Sequence, residues 1–345
     1  MTKQINVGGV CVGGGAPVTI QSMTNTKTHD VEATVKQIRR LAAAGCEIVR
    51  VAVPDEATAR AVGDIRSRID IPLVVDIHFD YKLALMCIAA GCDKVRINPG
   101  NIGGDDRVKA VADACRAKQI PIRIGVNGGS LEKPLLAKYG GVTAEALVES
   151  AMGHIHLLEK FDFDQICVSM KSSSVPVTMA AYRLFSQRSD YPLHLGVTEA
   201  GTPKMGVMKS AIGIGGLLAQ GIGDTFRVTL TADPVEEVYV ARDILKAAGL
   251  RRDGPELISC PTCGRTRVDL IAMAREVEHR LESVSKPITV AVMGCAVNGP
   301  GEAAAADAGI AGGDGEGLLF QKGEIIKKVP QEQLVDELFK LIKTL

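Results

Sequence analysis

A (β/α)8 TIM-type barrel followed by a small α+β domain is the fold this sequence predicts, and three observations predict it. Eight short β-branched runs, each followed by a helical pattern, fill residues 1–250, about the roughly 250 residues that such a barrel needs. No Gly-x-Gly-x-x-Gly follows the first run, which argues against a doubly wound open sheet. The polar stretch Arg251–Pro255 then reads as a linker to a second segment, so the expected domains are 1–250 and 251–345.

In chain order the predicted barrel strands are Val18–Met23, Glu47–Val53, Pro72–His78, Lys94–Asn98, Pro121–Val126, Gln165–Met170, Leu193–Thr198 and Asp224–Thr229. Amphipathic stretches separate them. In Asp30–Ala44, for example, Val31, Val35, Ile38 and Leu41 share one helical face. Asp30 and Thr143 read as N-caps, Gly45 and Gly91 as C-cap glycines. Ala44–Val51 and Ala90–Ile97 echo each other: helix end, Gly turn, then a strand carrying an Arg. A helix over Val235–Ala248 completes the barrel pattern. The second segment reads as a Cys260/Cys263 turn, a helix over Arg267–Ser283, a strand over Ile288–Val292, a Cys295–Glu302 loop, a run Gly309–Gly317 and a final helix Gln331–Leu345.

Composition excludes several functions. Net charge is zero, so no global field favours nucleic acid or an acidic membrane. Aromatics are only 3% and Trp is absent, so stacking platforms for single strands are missing. No secretory signal and no bilayer-length apolar run stand out. Nine cysteines scattered through apolar segments suit a reducing cytoplasm, with Cys11, Cys46, Cys87, Cys92, Cys115 and Cys167 expected as buried small apolar residues.

Parallel barrel strands normally read as continuous apolar runs, and these do not. Arg50, Arg96, Arg123 and Arg227 interrupt Val-, Ile- and Phe-rich strands, and Lys171 follows another. Buried guanidiniums are costly unless matched, and at strand ends they would converge on the barrel mouth. Any single Arg could pair internally with Asp76, Glu199 or Asp224, but acidic residues at strand ends are too few to pair them all, so a polyanionic ligand, most simply a phosphate, is the expected partner. Asp76 and His78 share one strand face, Asn98 lies two beyond Arg96, and Asn127 has the parity of Arg123. Gly-rich turns at 99–104, 127–130 and 213–216 could offer N–H groups to phosphate oxygens.

Cys260 and Cys263 form a Cys-Pro-Thr-Cys turn, and Cys295 opens a Gly-rich loop that ends at Glu302. The pair alone fits a zinc half-site, a redox disulfide or an iron–sulfur ligand pair. No fourth Cys follows, and three thiolates with a carboxylate suit an iron–sulfur cluster with one replaceable corner better than closed zinc. A competing reading is a non-redox phospho-sugar aldolase or isomerase barrel with a structural zinc ribbon.

The motifs Gln21-Ser22-Met23-Thr24-Asn25-Thr26, Asp76-Ile77-His78-Phe79-Asp80, Arg96–Gly103, Gly196–Gly201, Cys260–Cys263 and Asn298–Glu302 together resemble the compact form of the 4-hydroxy-3-methylbut-2-enyl diphosphate synthase family, over the whole chain. The resemblance implies a [4Fe–4S] cluster on Cys260, Cys263, Cys295 and Glu302, with Glu302 the ligand that yields. It implies reductive ring opening of 2-C-methyl-D-erythritol 2,4-cyclodiphosphate with loss of water, in isoprenoid precursor biosynthesis. Its diphosphate-binding positions fall on Arg50, Arg96, Arg123, Ser169, Lys171 and Arg265. It also implies ferredoxin or flavodoxin as electron donor, and a homodimer whose active site is shared between subunits. Within that scheme Glu199 is the expected proton donor, and His78 would orient or protonate a diphosphate oxygen.

Overall fold

The computed structural model describes residues 1–295, 301 and 303–345. They form two compact units, Met1–Arg251 and Arg252–Leu345.

The first unit opens with an antiparallel hairpin, β1 (Gln4–Val7) and β2 (Val10–Gly13). Eight strands follow: β3 (Thr19–Met23), β4 (Ile48–Ala52), β5 (Leu73–Asp76), β6 (Lys94–Ile97), β7 (Ile122–Asn127), β8 (Ile166–Lys171), β9 (His194–Leu195) and β10 (Thr225–Phe226). They pair in parallel in the order β8-β7-β6-β5-β4-β3-β10-β9. A parallel bridge between Val168 and Leu193, with the Val168 N–H donating to Pro192 O at 2.9 Å, brings the two ends together as a barrel.

Strand alternation sorts the side chains. Val49, Val51, Val75, Val95, Ile97, Ile122, Ile124 and Val168 belong to the large apolar core beneath the helices. The opposite parity, including Arg50, Asp76, Arg96, Arg123 and Lys171, points into the barrel. The helices start as their sequences require: the carboxylate of Asp30 caps Ala33 N–H and Thr143 caps Ala146 N–H. Gly45 and Gly91 turn the chain into β4 and β6 at φ of 107° and 91°, so the two echoed segments do the same job.

Several expectations need correction. The hairpin β1–β2 was not anticipated, because its glycines read as a loop. Yet Ile5, Val7 and Val12 pack with Ile48, Val74 and Cys167, closing the strand-start end of the barrel. Cys11, on the outer face of that hairpin, is exposed rather than buried. β9 and β10 are two-residue strands rather than six-residue ones. Residues 213–216 are helical, not a phosphate-offering turn: a Cβ on Gly213 would lie 2.7 Å from Val197, so the glycine serves close helix packing. Arg251 is tied to the barrel by Glu47 at 2.6 Å and Val18 O at 2.7 Å.

In the second unit β11 (Glu256–Ser259), β12 (Thr289–Met293), β13 (Ala308–Ala311), β14 (Glu316–Gln321) and β15 (Glu324–Pro330) pair in sequence order, the first three parallel and the rest antiparallel. Helices Leu270–Leu281 and Leu334–Thr344 pack on it through Leu270, Val277, Leu334, Leu338 and Ile342. The β14–β15 hairpin escaped the sequence reading because β15 buries only Val329, so its alternation is not expressed. No helix among the described residues is long and apolar enough to cross a membrane.

Candidate active site

At the carboxyl ends of the barrel strands a cavity of about 240 Å³ is lined by Arg50, Asp76, His78, Arg96, Arg123, Asn127, Ser169, Lys171, Thr198, Arg227 and Thr229. Register brings them together: Arg96 lies opposite both Asp76 and Arg123, and Asn127 opposite Lys171. Two glycines let the long cations cross the barrel. A Cβ on Gly125 would sit 2.3 Å from Arg96 Nε, and one on Gly196 would sit 2.6 Å from Lys171 Nζ.

One carboxylate serves two of these cations. Arg96 Nη1 donates to Asp76 Oδ1 at 2.9 Å, and Arg50 Nε lies 3.6 Å from Asp76 Oδ2. Burial alone would raise the Asp76 carboxyl, but the guanidiniums of Arg50, Arg96 and Arg123 override it and hold it down to about 2. Arg50 also donates to Met23 Sδ at 2.9 and 3.1 Å. Arg227 is satisfied by Glu237 at 3.1 Å, a partner on a helix rather than a strand end, so it is not a free ligand grip.

Arg123 and Lys171 have no carboxylate within ion-pair distance among the described residues. Arg123 is 1% exposed, and its Nε and Nη1 find no hydrogen-bond partner. Burial, and then Arg96, lower its ordinary value to about 10. Burial, with Arg123 and Arg50 close by, pushes Lys171 well below the usual ammonium range. Positive charge is therefore held here at a free-energy cost that a bound anion would relieve.

The other expected residues lie as follows. His78 is half exposed at the rim, its Nε2 3.7 Å from Asp76 Oδ2. Ser169 Oγ donates to Ile124 O at 3.3 Å. Asn98 is buried and occupied locally, its Oδ1 accepting from Gly100 N–H at 3.1 Å, and it does not line the cavity. Glu199 is exposed, sits at a left-handed φ of 52°, and follows the lining Thr198 without lining the cavity itself. Thr198 and Thr229 went unnoticed in the sequence. Their parity with Gly196 and Arg227 was the available signal.

A larger cavity of about 880 Å³ lies near the strand starts, around Asp93, Arg116 and Gln119. Its central charged groups already have partners: Asp93 binds Arg66 at 2.6 Å, and Arg116 binds Asp113 and the carbonyls of Phe161 and Asp162. Size alone does not make it the site.

In the second unit Cys260 lies just past β11 and Cys295 just beyond the neighbouring β12. Gly294 N–H donates to Cys260 Sγ at 3.1 Å. Cys263 is exposed, and its thiol is lowered, first by the main-chain N–H of Arg265 and further by the Arg265 side chain and Thr266. Arg265 thus faces Cys263 in this unit. Glu302 lies outside the described residues. No three His, Cys, Asp or Glu side chains among the described residues are gathered as a metal site. The donor chemistry nonetheless suits a thiolate-bound centre, since N–H groups already point at two of the three sulfurs.

A TIM-type barrel with a cation-lined mouth, joined to a separate thiol-bearing unit, is the class that fold and site define. The chain belongs to the GcpE family: residues 2–242 match the family model "GcpE TIM-barrel domain" and residues 256–344 match "GcpE protein C-terminal domain". It is 62% identical over 344 residues to the 4-hydroxy-3-methylbut-2-en-1-yl diphosphate synthase (flavodoxin) of Clostridium perfringens, covering 100% of this chain and 99% of that one. It is 60% identical to the protein of the same name from Bacillus subtilis, covering 100% and 91%. Among solved structures, dihydropteroate synthase of Yersinia pestis aligns with TM-score 0.52 at 13% identity, over 73% of this chain and 100% of that one. The 3-dehydroquinate dehydratase of Geobacillus kaustophilus aligns with TM-score 0.50 at 15% identity, over 72% and 99%. These two likenesses concern the barrel fold alone.

Proposed function

We propose that this chain reduces 2-C-methyl-D-erythritol 2,4-cyclodiphosphate to 4-hydroxy-3-methylbut-2-enyl diphosphate, taking in two electrons and two protons and releasing one water. The observation that carries the reading is the mouth cavity with Arg123 and Lys171 unmatched by any carboxylate among the described residues. The names of the relatives support the same substrate class and flavodoxin as donor. Ferredoxin is the other small electron carrier of suitable chemistry.

Arg50, Arg96, Arg123 and Lys171 would grip the diphosphate, with Ser169 and Asn127 supplying neutral hydrogen bonds. Asp76 keeps Arg50 and Arg96 aimed without neutralising the rest. The dry wall of the barrel strengthens each of these contacts. His78, at the cavity rim, would hold a proton at a diphosphate oxygen as the C–O bond to it breaks. Glu199 would deliver the proton that lets the hydroxyl leave as water. Cys260, Cys263, Cys295 and Glu302 would hold a [4Fe–4S] cluster, which when bound supplies the electrons one at a time. A homodimer in which one subunit's cluster unit serves the other's barrel mouth completes the reading, with Arg265 reaching the diphosphate from that unit.

Anaerobically purified protein should be brown, with about four irons and about four sulfides per chain. A colourless protein holding one zinc would reject the cluster. Subunit exchange between Cys295→Ser and Arg123→Ala chains should restore activity that neither has alone. Exchanged mixtures that stay inactive would reject the shared site.

A further inference from the structure

TIM-type barrels are normally filled below the mouth by layers of branched apolar side chains. Here the layer beneath the cavity is largely polar. Lys94 lies two residues before Arg96 on the inward parity of β6 and is 0% exposed, and its Nζ has no hydrogen-bond partner among the described residues. Thr19 and Gln21 on β3, Thr225 on β10 and His194 on β9 are inward residues near the strand starts, with Thr225 opposite both Thr19 and His194 in register. Each is buried, and both amide atoms of Gln21, both hydroxyls and both ring nitrogens of His194 also lack partners. Arg123 reaches this level from above with its free Nε and Nη1. None of Lys94, Gln21, Thr19, Thr225 or His194 lines the mouth cavity. The layer is not wholly polar: Val74 lies opposite Lys94, Ile48 opposite Gln21 and Cys167 opposite Arg123, and Ile5, Val7 and Val12 of the hairpin pack against these three.

No carboxylate among the described residues answers this charge. Asp76 is engaged by Arg50 and Arg96, Glu237 by Arg227, and Asp224 by Thr2 and the Leu193 N–H. Burial pushes His194 well below its ordinary value, so it is neutral and offers one N–H. Burial lowers Lys94 only to about 8, so near pH 7 it keeps most of its charge. Waters would meet the hydrogen-bond needs of such a layer but not its charge. The groups pointing inward are an ammonium, a guanidinium edge, two hydroxyls, an amide and an imidazole, a set dominated by donors and suited to a partner that only accepts.

We infer that the barrel interior beneath the mouth is a built site for a small monovalent anion of the halide class, held between Lys94 and Arg123. The site lies beneath the mouth and shares Arg123 with it, while Lys94 belongs to it alone, and it neutralises charge that the fold leaves unmatched.

The test uses anaerobic, full-length holoprotein with inorganic diphosphate saturating the mouth. Chloride replaces methanesulfonate at constant ionic strength while the thermal midpoint is followed. The midpoint should rise by roughly 3 °C for each tenfold increase in chloride above its dissociation constant. Lys94→Met, which keeps the side chain's length without its charge, should lose that dependence. Crystals of the unmutated protein grown with bromide should show an anomalous peak between Lys94 and Arg123, which tests the site even if the variant fails to fold. A wild-type midpoint indifferent to chloride, an undiminished dependence in Lys94→Met, or bromine found only at the mouth would each overturn the inference.

Discussion

In the barrel mouth each cation leaves the backbone from a hydrogen-bonded strand, and its direction is fixed by parity, by a neighbouring glycine or by Asp76. In the second unit the thiols of Cys260, Cys263 and Cys295 stand on loops just past strand ends, and only N–H contacts restrain two of them. The mouth is thus assembled by folding itself and carries its electrostatic cost permanently. Under the proposed function the thiol centre would need its metal to bring its ligands together, and the metal would in turn add to the stability of a unit of fewer than a hundred residues. The two sites should therefore respond oppositely to deletion. Removing a mouth cation should harm binding and spare stability, whereas removing a thiol should harm both.

The largest effect expected is on binding. Arg123→Met deletes a buried guanidinium whose Nε and Nη1 are unpartnered. Affinity for inorganic diphosphate should fall by roughly 2–5 kcal/mol, the range for truncating one partner of a buried charge pair. The thermal midpoint should not fall, because a buried cation is replaced by a fitting apolar chain. Titration calorimetry and a melting scan on the same sample decide the matter. A variant that binds normally but melts early would reverse the comparison.

Next in size is Cys260→Ser. The protein should lose most of its iron, and the second unit should melt earlier by about 4 kcal/mol, the stabilisation given by a ligand at roughly a thousand times its dissociation constant. The barrel transition should stay where it was. If both transitions move together, the two units are not separately stabilised.

Asp76 sharpens the comparison from within the mouth. Its carboxyl is held down from 3.8 to about 2, which corresponds to about 2 kcal/mol of stability at neutral pH. Because the folded-state value is the lower one, this contribution is fully present above pH 4 and is lost as pH falls through 2. Asp76→Asn should therefore be destabilised relative to the parent above pH 4, with the difference closing towards pH 2. Urea midpoints across that range measure it. A gap that does not change with pH would mean that Asp76 acts through packing rather than charge.

How much of this was legible in the sequence follows from what each signal depends on. The eight barrel strands and the order of their cations could be read because a parallel strand buried on both faces gives an apolar run, and a charge inside it stands out. The partners of those cations could be read only in part: Asp76, a strand-end carboxylate, does pair with Arg50 and Arg96. Glu237, which satisfies Arg227, comes from a helix, and nothing in strand parity points to it. Lys94 and His194 broke apolar runs just as the arginines did, but they lie at the strand starts, where no site was expected. The hairpin Gln4–Gly13 was hidden by its glycines, and β15 by its exposure. The Cys spacing gave the ligand types, but only register shows that Cys260 and Cys295 follow neighbouring strands.

The smallest expected effect separates conformation from chemistry at Glu199. This residue holds a left-handed φ of 52°, a region that glycine enters without strain, beside Thr198 at the mouth. Glu199→Gly should raise stability by about 1 kcal/mol through relief of that strain, offset in part by a looser unfolded chain. Glu199→Gln keeps the strain and should leave stability unchanged. Both remove the carboxyl. If Glu199 passes a proton to the leaving hydroxyl, both variants should lose kcat to a similar extent while diphosphate affinity holds, because the residue does not line the cavity. If Glu199→Gly keeps near-parental turnover, the proton must come from elsewhere, and His78, the titratable group at the rim, is the candidate left to take the role.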